Sequence, residues 1–309
     1  MRPSAAGSWP SLPLSAWRPT RDTLHMWTQI VGKTLLASCP AQNHWWHAAL
    51  RVSPRGLASP PAFDGGGVFD LELDLVEQQL RVRTADGRAA SMRLGARPVR
   101  SFYEEYVALL AALGLHVKIR TTPVEVPEPI PFDRDDAHRE YDPAWAQRFL
   151  RVLQCCDATL RELSGSFVGK QSPVHFFWGS FDLAVTRFSG RRAPERPGAD
   201  RVTREAYSHE VISFGFWPGG AMPDGTRVDE AVLYAYAAPE PGGFRGAKVH
   251  PAGARYDGRL GEFLLPYEVV RAAPDPGAAV REFCESVYEA GAALGGWNRL
   301  ALERTPPAS

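Results

Sequence analysis

The sequence has little of what marks several common protein classes. Cysteine is scarce: the 309 residues hold only Cys39, Cys155, Cys156 and Cys284. With no C-x-x-C pair there is no framework for thiolate zinc chemistry, and such usage fits a reducing compartment. Charge of one sign is missing as well. Thirty-five Lys and Arg balance 35 Asp and Glu, whereas phosphate contacts demand a basic excess, so no nucleic-acid partner is expected. No apolar run reaches the roughly 18 residues that span a bilayer; the longest, Val107 to Leu115, reads as the buried side of a short helix. The segment Met1 to Gly7 lacks the continuous apolar stretch of a signal peptide. A cytoplasmic location without a membrane partner is the expectation. Dinucleotide, Walker, H-E-x-x-H and G-x-S-x-G motifs are all absent. Val31-Gly32-Lys33 and Val168-Gly169-Lys170 lack the flanking glycines of a phosphate loop.

What is present is an ordinary globular composition, 44% hydrophobic and 23% charged. The chain is longer than a single core usually becomes, which suggests two halves of about 150 residues. A first helix is signalled at Thr20, an N-cap before Asp22. Leu24, Trp27, Val31 and Leu35 recur at helical spacing as an apolar stripe, and Arg18, Arg21, His25 and Gln29 as a polar one. Strands follow at Trp46–Val52, Val68–Leu75 and Leu80–Thr84, then a helix from about Ser101 to Leu113 ended by Gly114, and a short strand at Val117–Arg120.

Residues 123–142 are rich in Pro and acid and read as a semi-rigid linker between a first half, 1–122, and a second, 143–309. Asp142-Pro143 opens a second long helix with Trp145, Phe149, Val152, Cys156, Leu160, Leu163 and Phe167 on one stripe. Both halves then run through Pro, Trp and Val at matching offsets (Trp45 and Trp178, Val52 and Val185) into Arg/Gly turns. Further strands, around His209–Phe216 and Val232–Ala238, precede a closing helix at Pro276–Leu294. The expected fold class is α+β: two similar α-β-β-β-α halves from an internal duplication, with largely antiparallel sheets packed on helices.

Three stretches could carry chemistry. In Asn43-His44-Trp45-Trp46-His47 the two histidines at i and i+3 would point to opposite faces of a strand, which argues against a joint metal site. In His175 to Asp182, an extended reading puts Phe176, Trp178, Ser180, Asp182 and Thr186 on one face, a mixture suited to a ligand; the alternative is an aromatic core with Asp182 paired to an arginine. In Tyr207-Ser208-His209-Glu210, Glu210 would share a face with Ile212 and Phe214 and carry a raised pKa unless Arg187 or Arg204 neutralises it. Arg187 to Glu205 holds six arginines and reads as a loop that could cover a site or bind an anion, or simply sit in solvent.

Trp9-Pro10, Thr23-Leu24-His25-Met26-Trp27, Val31-Gly32-Lys33, Asn43-His44-Trp45-Trp46-His47, Ser172 to Leu183 and Glu205 to Glu210 together resemble an uncharacterised bacterial family, domain of unknown function 5996. The resemblance runs from about Trp9 to Trp297. It implies a bacterial, intracellular protein and assigns no catalytic role.

Three readings stay open. One is an enzyme with a pocket between the halves, in which His209, Glu210 and Asp182 act chemically and His25, Trp178, Arg187, Trp217 and His44 bind substrate. Its cofactor would be a divalent transition metal on His44, His175 and His209. Another is a non-catalytic module that stacks a small-molecule ligand on Trp45, Trp46, Phe177, Trp178, Phe216 and Trp217. The third is a structural or interaction protein. The residues do not decide whether this is an enzyme, nor its oligomeric state. If a site exists, it is expected on the sheet of the second half, walled by the helix and His-Trp segment of the first.

Overall fold

A computed structural model describes residues 9–65 and 67–304. The segment Met1–Gly7 and the middle of the Gly65–Gly67 turn lie outside the described residues. The first helix, α1 (Leu14–Ser38), begins six residues before the Thr20 signal. Thr20 lies inside it, and its hydroxyl accepts from the Asp142 N–H at 2.9 Å, so the group read as a cap fastens the entrance of a later helix. Both stripes of α1 are buried, the apolar one through Leu24, Trp27 and Val31 and the polar one through Arg21, His25 and Gln29. A helix covered all round belongs to the interior.

The expected strand at Trp46–Val52 is reduced to β1 (Arg51–Val52). Asn43–Trp45 form a single 3-10 turn in which His44 and Trp45 both take left-handed backbone, φ 56° and 51°, and this breaks the extended alternation. Leu50 instead bridges Phe176, with mutual backbone hydrogen bonds of 3.0 and 2.8 Å, and so ties the first half to the second. The strands β2 (Gly56–Ala58), β3 (Ala62–Asp64), β4 (Gly67–Asp74), β5 (Gln79–Thr84) and β6 (Ala89–Arg93) complete an antiparallel sheet of order β1-β2-β4-β5-β6, with β3 also on β4. Phe69, Leu71, Leu73, Leu80 and Val82 supply its core. The helix α2 (Val99–Ala112) follows, ended by Gly114 as expected. No strand forms at 117–120.

Residues 123–142 are packed against the body. Phe132 is fully buried in a 3-10 turn. The Asp135 carboxylate accepts from the Ala137 and His138 N–H groups and from His138 Nδ1 at 2.7 Å. Burial pushes the Asp135 pKa up, but these donors outweigh it and hold the carboxyl below its usual range. Asp135→Asn is expected to cost about 1–2 kcal/mol in a urea melt; an unchanged midpoint would remove this anchor from the account.

The long helix α3 (Pro143–Ser164), capped by Asp142, leads into β7 (His175–Phe177) and β8 (Asp182–Arg192). The stretch 175–185 is therefore a hairpin: Phe181 turns left-handed, φ 63°. The face expected to run unbroken from Phe176 to Thr186 is split there. His175 pairs with Ala184 and Phe177 with Asp182, so β7 shows its odd residues on the side where β8 shows its even ones. The Arg-rich stretch is partly strand, then α4 (Arg201–Ala206). After it come β9 (His209–Trp217), a small hairpin of β10 (Gly220–Ala221) and β11 (Arg227–Val228), β12 (Val232–Ala238), β13 (Arg255–Asp257) and β14 (Glu262–Pro266). The chain closes with α5 (Tyr267–Ala272), α6 (Pro276–Leu294) and α7 (Arg299–Leu302). The second sheet is antiparallel, of order β13-β14-β12-β9-β8-β7.

The fold is thus α+β, with 7 α-helices and largely antiparallel sheets among the described residues. Both halves run helix, sheet, helix, though a shared order of elements does not by itself establish a duplication. One face of the second sheet, with Leu183, Val185, Ile212, Phe214, Phe216 and Leu233, joins the core against α3 and α6. The other face opens into a crevice.

Candidate functional site

Four strands build the floor of the crevice from alternate residues: Asp182, Ala184 and Thr186 of β8, Ser213 and Gly215 of β9, Tyr234 and Tyr236 of β12, and Glu262 of β14. Two lobes of about 240 and 510 Å³ share Glu125, Ser180, Asp182, Tyr207, Tyr234 and Tyr236. His44, Trp45 and Trp178 wall the smaller lobe; Arg21, His25 and Trp217 wall the larger.

Asp182 is the centre. It is 7% exposed, and it accepts from the Ser180 hydroxyl and the Tyr234 phenol. Burial raises its pKa, against the opposing pull of those two donors. Tyr234 reaches it because position 215 is glycine: a Cβ there would lie 2.3 Å from the Tyr234 ring and 2.4 Å from the Leu183 carbonyl. The neighbouring Tyr236 and Tyr207 hydroxyls meet at 2.9 Å, and Thr186 and Ser213 at 2.7 Å.

The polar stripe of α1 positions the far wall. His25 Nε2 meets the carbonyls of Trp178 and Gly179 at 3.0 and 2.9 Å and so holds the hairpin turn. Its pKa falls to about 3, through burial and then the Arg21 charge, so the ring is neutral at physiological pH. The Gln29 amide pairs with both backbone groups of Val124, at 2.7 and 2.9 Å, and this delivers Glu125 to the crevice. The Glu125 carboxyl occupies the space a side chain at Gly179 would need, 2.5 Å from a Cβ built there. It keeps contact with solvent, yet burial among protein atoms, then Asp182 and Asp200, lift its pKa to about 7. Burial, then Asp182 and Asp257, lift Glu262 to about 8. Trp178 donates its indole N–H to Ala48 O at 2.9 Å and stacks on Trp45, ring centres 6.4 Å apart.

Of the residues given a chemical, binding or stacking role from sequence, seven line one crevice: His25, His44, Trp45, Phe177, Trp178, Asp182 and Trp217. Others do not. Arg187 shares its face with Leu183 and Val185, so strand alternation turns it into the core. There it donates to Leu163 O at 2.7 Å and lies 4.5 Å from the Tyr288 ring centre. Glu210 is not stranded on an apolar face, because the Arg191 guanidinium binds it at 2.7 Å. Partners for it were expected in Arg187 or Arg204. His209 stays half-buried at the start of β9 beside Ser208 Oγ, 3.1 Å from its Nδ1, and does not line the crevice. His175 packs under Trp46 and against Phe177. Burial lowers the pKa of both His44 and His175 to about 4. The proposed metal set of His44, His175 and His209 is not gathered: among the described residues no three His, Cys, Asp or Glu side chains come together to hold a metal ion.

Sequence reasoning missed Glu125, Glu262, Tyr234 and Tyr236. The alternation Leu233-Tyr234-Ala235-Tyr236-Ala237 carried a signal for the tyrosines, since it puts both on the face opposite the core. Glu125 had none, because it arrives from a Pro-rich stretch without periodicity.

A family model described as "Family of unknown function (DUF5996)" matches residues 9–304. The chain belongs to this family. No curated protein and no solved structure matches it. Every residue lining the crevice of this DUF5996 chain lies in the matched region. Among the described residues no helix is long and apolar enough to cross a membrane.

Proposed function

We propose that the crevice on the second sheet is a small-molecule site in which Asp182 and Tyr234 act together as an acid–base pair on the bound molecule. One observation carries the reading: a buried carboxyl without a cationic partner, hydrogen-bonded to a phenol, sits at the floor of a cavity walled by Trp178, Trp217 and Tyr207. Buried carboxyls with raised pKa values are suited to proton transfer near neutrality, and aromatic walls with a few convergent polar groups are the usual make-up of a ligand pocket. None of the four cysteines forms a disulfide among the described residues, which supports a cytoplasmic location.

The test is a thermal-shift and native mass spectrometry screen of small organic molecules against the parent, Asp182→Asn and Tyr234→Phe. A molecule that raises the melting temperature of the parent is expected to bind either variant at least about tenfold more weakly, since each change removes a hydrogen bond to a charged or buried group. Ligands that bind all three proteins equally would overturn the reading.

A further inference from the structure

We infer that the molecule this crevice takes is an organic cation, a protonated amine or alkylammonium that also carries a hydrogen-bond acceptor. The inference rests on the crevice being a small-molecule site and adds the sign of the ligand's charge. Elsewhere in the protein buried acids are matched: Asp74 meets Arg55 at 2.6 Å and Arg81 at 3.3 Å, and Asp135 meets His138. In the crevice Asp182 is not: it is held by the uncharged hydroxyls of Ser180 and Tyr234. Beside it the carboxyls of half-buried Glu262 and exposed Glu125 make no hydrogen bond or ion pair among the described residues. Three carboxyls thus face one cavity, and no arginine or lysine among the described residues pairs with any of them.

The charged groups around them do not fill that role. Arg21 gives Nη1 to Asp22 at 2.8 Å and lies over the Phe181 ring. Arg196 lies 4.0 Å from the centre of the Tyr207 ring. His25 and His44 are kept neutral by burial. Asp200, beside Glu125, and Asp257, beside Glu262, add negative charge. The rings favour the same sign. Tyr234 and Tyr236 lie nearly parallel, 12° apart, and a cation is attracted to the faces of such rings. On the wall of the larger lobe one buried donor waits: Arg21, 7% exposed, has no partner for Nε. A ligand oxygen would satisfy it, which is why the ligand is assigned an acceptor as well as a cationic group.

The experiment is calorimetric titration with three probes of one shape: tryptamine, its uncharged counterpart tryptophol, and indole-3-acetate. Tryptamine is expected to bind at least about tenfold tighter than tryptophol, with indole-3-acetate weakest. In Glu125→Gln/Glu262→Gln, whose fold is checked by its melting curve, the preference for tryptamine should shrink to about threefold or less while tryptophol binding is kept. If tryptophol or indole-3-acetate binds as tightly as tryptamine, the cation assignment falls and the small-molecule site stands. If the double variant keeps the full preference, the assignment of these carboxyls falls. If none of the three probes binds, both the assignment and the site it rests on are overturned.

Discussion

Gly215→Ala is expected to destabilise the protein by roughly 3 kcal/mol and to abolish ligand binding with it. The added methyl would sit 2.4 Å from the Leu183 carbonyl and 2.3 Å from the Tyr234 ring. The first neighbour is backbone, fixed because β8 and β9 pair through Leu183↔Phe216 and Ala184↔Gly215. It cannot swing aside as a side chain would, so β8 and β9 must part locally. The second neighbour is the ring that reaches Asp182, and displacing it takes the phenol off the carboxyl. Differential scanning calorimetry should show the melting point lower by roughly 5 °C for a chain of this size. A variant within about 1 kcal/mol of the parent would mean that the sheet yields here, against the dense packing on both sides of this position.

The second large effect is a loss of stability as pH rises. Glu262 has its folded pKa raised from 4.5 to about 8. A carboxyl whose pKa is raised by folding favours the folded state only while protonated. Its contribution is whole below the unfolded value and disappears as pH climbs through the folded one. Glu125, raised to about 7, and Asp182 act in the same direction, Glu125 less because it touches solvent. So does His138: its pKa is raised by its hydrogen bond to Asp135, and that stabilisation fades as the imidazole loses its proton. Asp74 and Asp135, held low by their donors, act oppositely and lose their stabilisation in acid. So do His25, His44 and His175: burial keeps them neutral when folded, so below about pH 6.5 the unfolded chain takes up protons that they do not. The parent should therefore be most stable near about pH 7 and lose roughly 2 kcal/mol by about pH 9. Glu262→Gln should flatten most of that alkaline slope in denaturant melts across the pH range. A parent whose stability is level from about pH 7 to 9 would contradict this.

Much of the fold was legible because its elements are long and regularly patterned. The α1 stripes, the β4–β5 hairpin, α3 and α6 all appear where periodicity places them. The departures at 46–52 and 175–185 have a common cause: left-handed backbone at residues that are not glycine. Nothing marks His44, Trp45 or Phe181 as turn formers, and each reverses the direction of the side chains after it. Asp182 faces the crevice because β8 restarts immediately after Phe181 and keeps its own alternation. Arg187 was drawn to the site by its charge, yet it stands an odd number of residues from Asp182 and so belongs to the opposite face. Glu125 could not be found from sequence, because its place is fixed by the hold of Gln29 on Val124, 95 residues away.

The contacts of His25 and Gln29 also set an order in time. His25 binds carbonyls 153 and 154 residues further along the chain, and Gln29 holds backbone 95 residues away. Closing loops of that length is slow compared with winding a helix. During synthesis α1 emerges first and must keep its buried polar stripe in water until β8 has been made. The crevice has no floor until Glu262 follows. Occupancy of the crevice is thus a mark of a finished chain, and a ligand present in the cell would select molecules that have completed folding over those still waiting for their last strand.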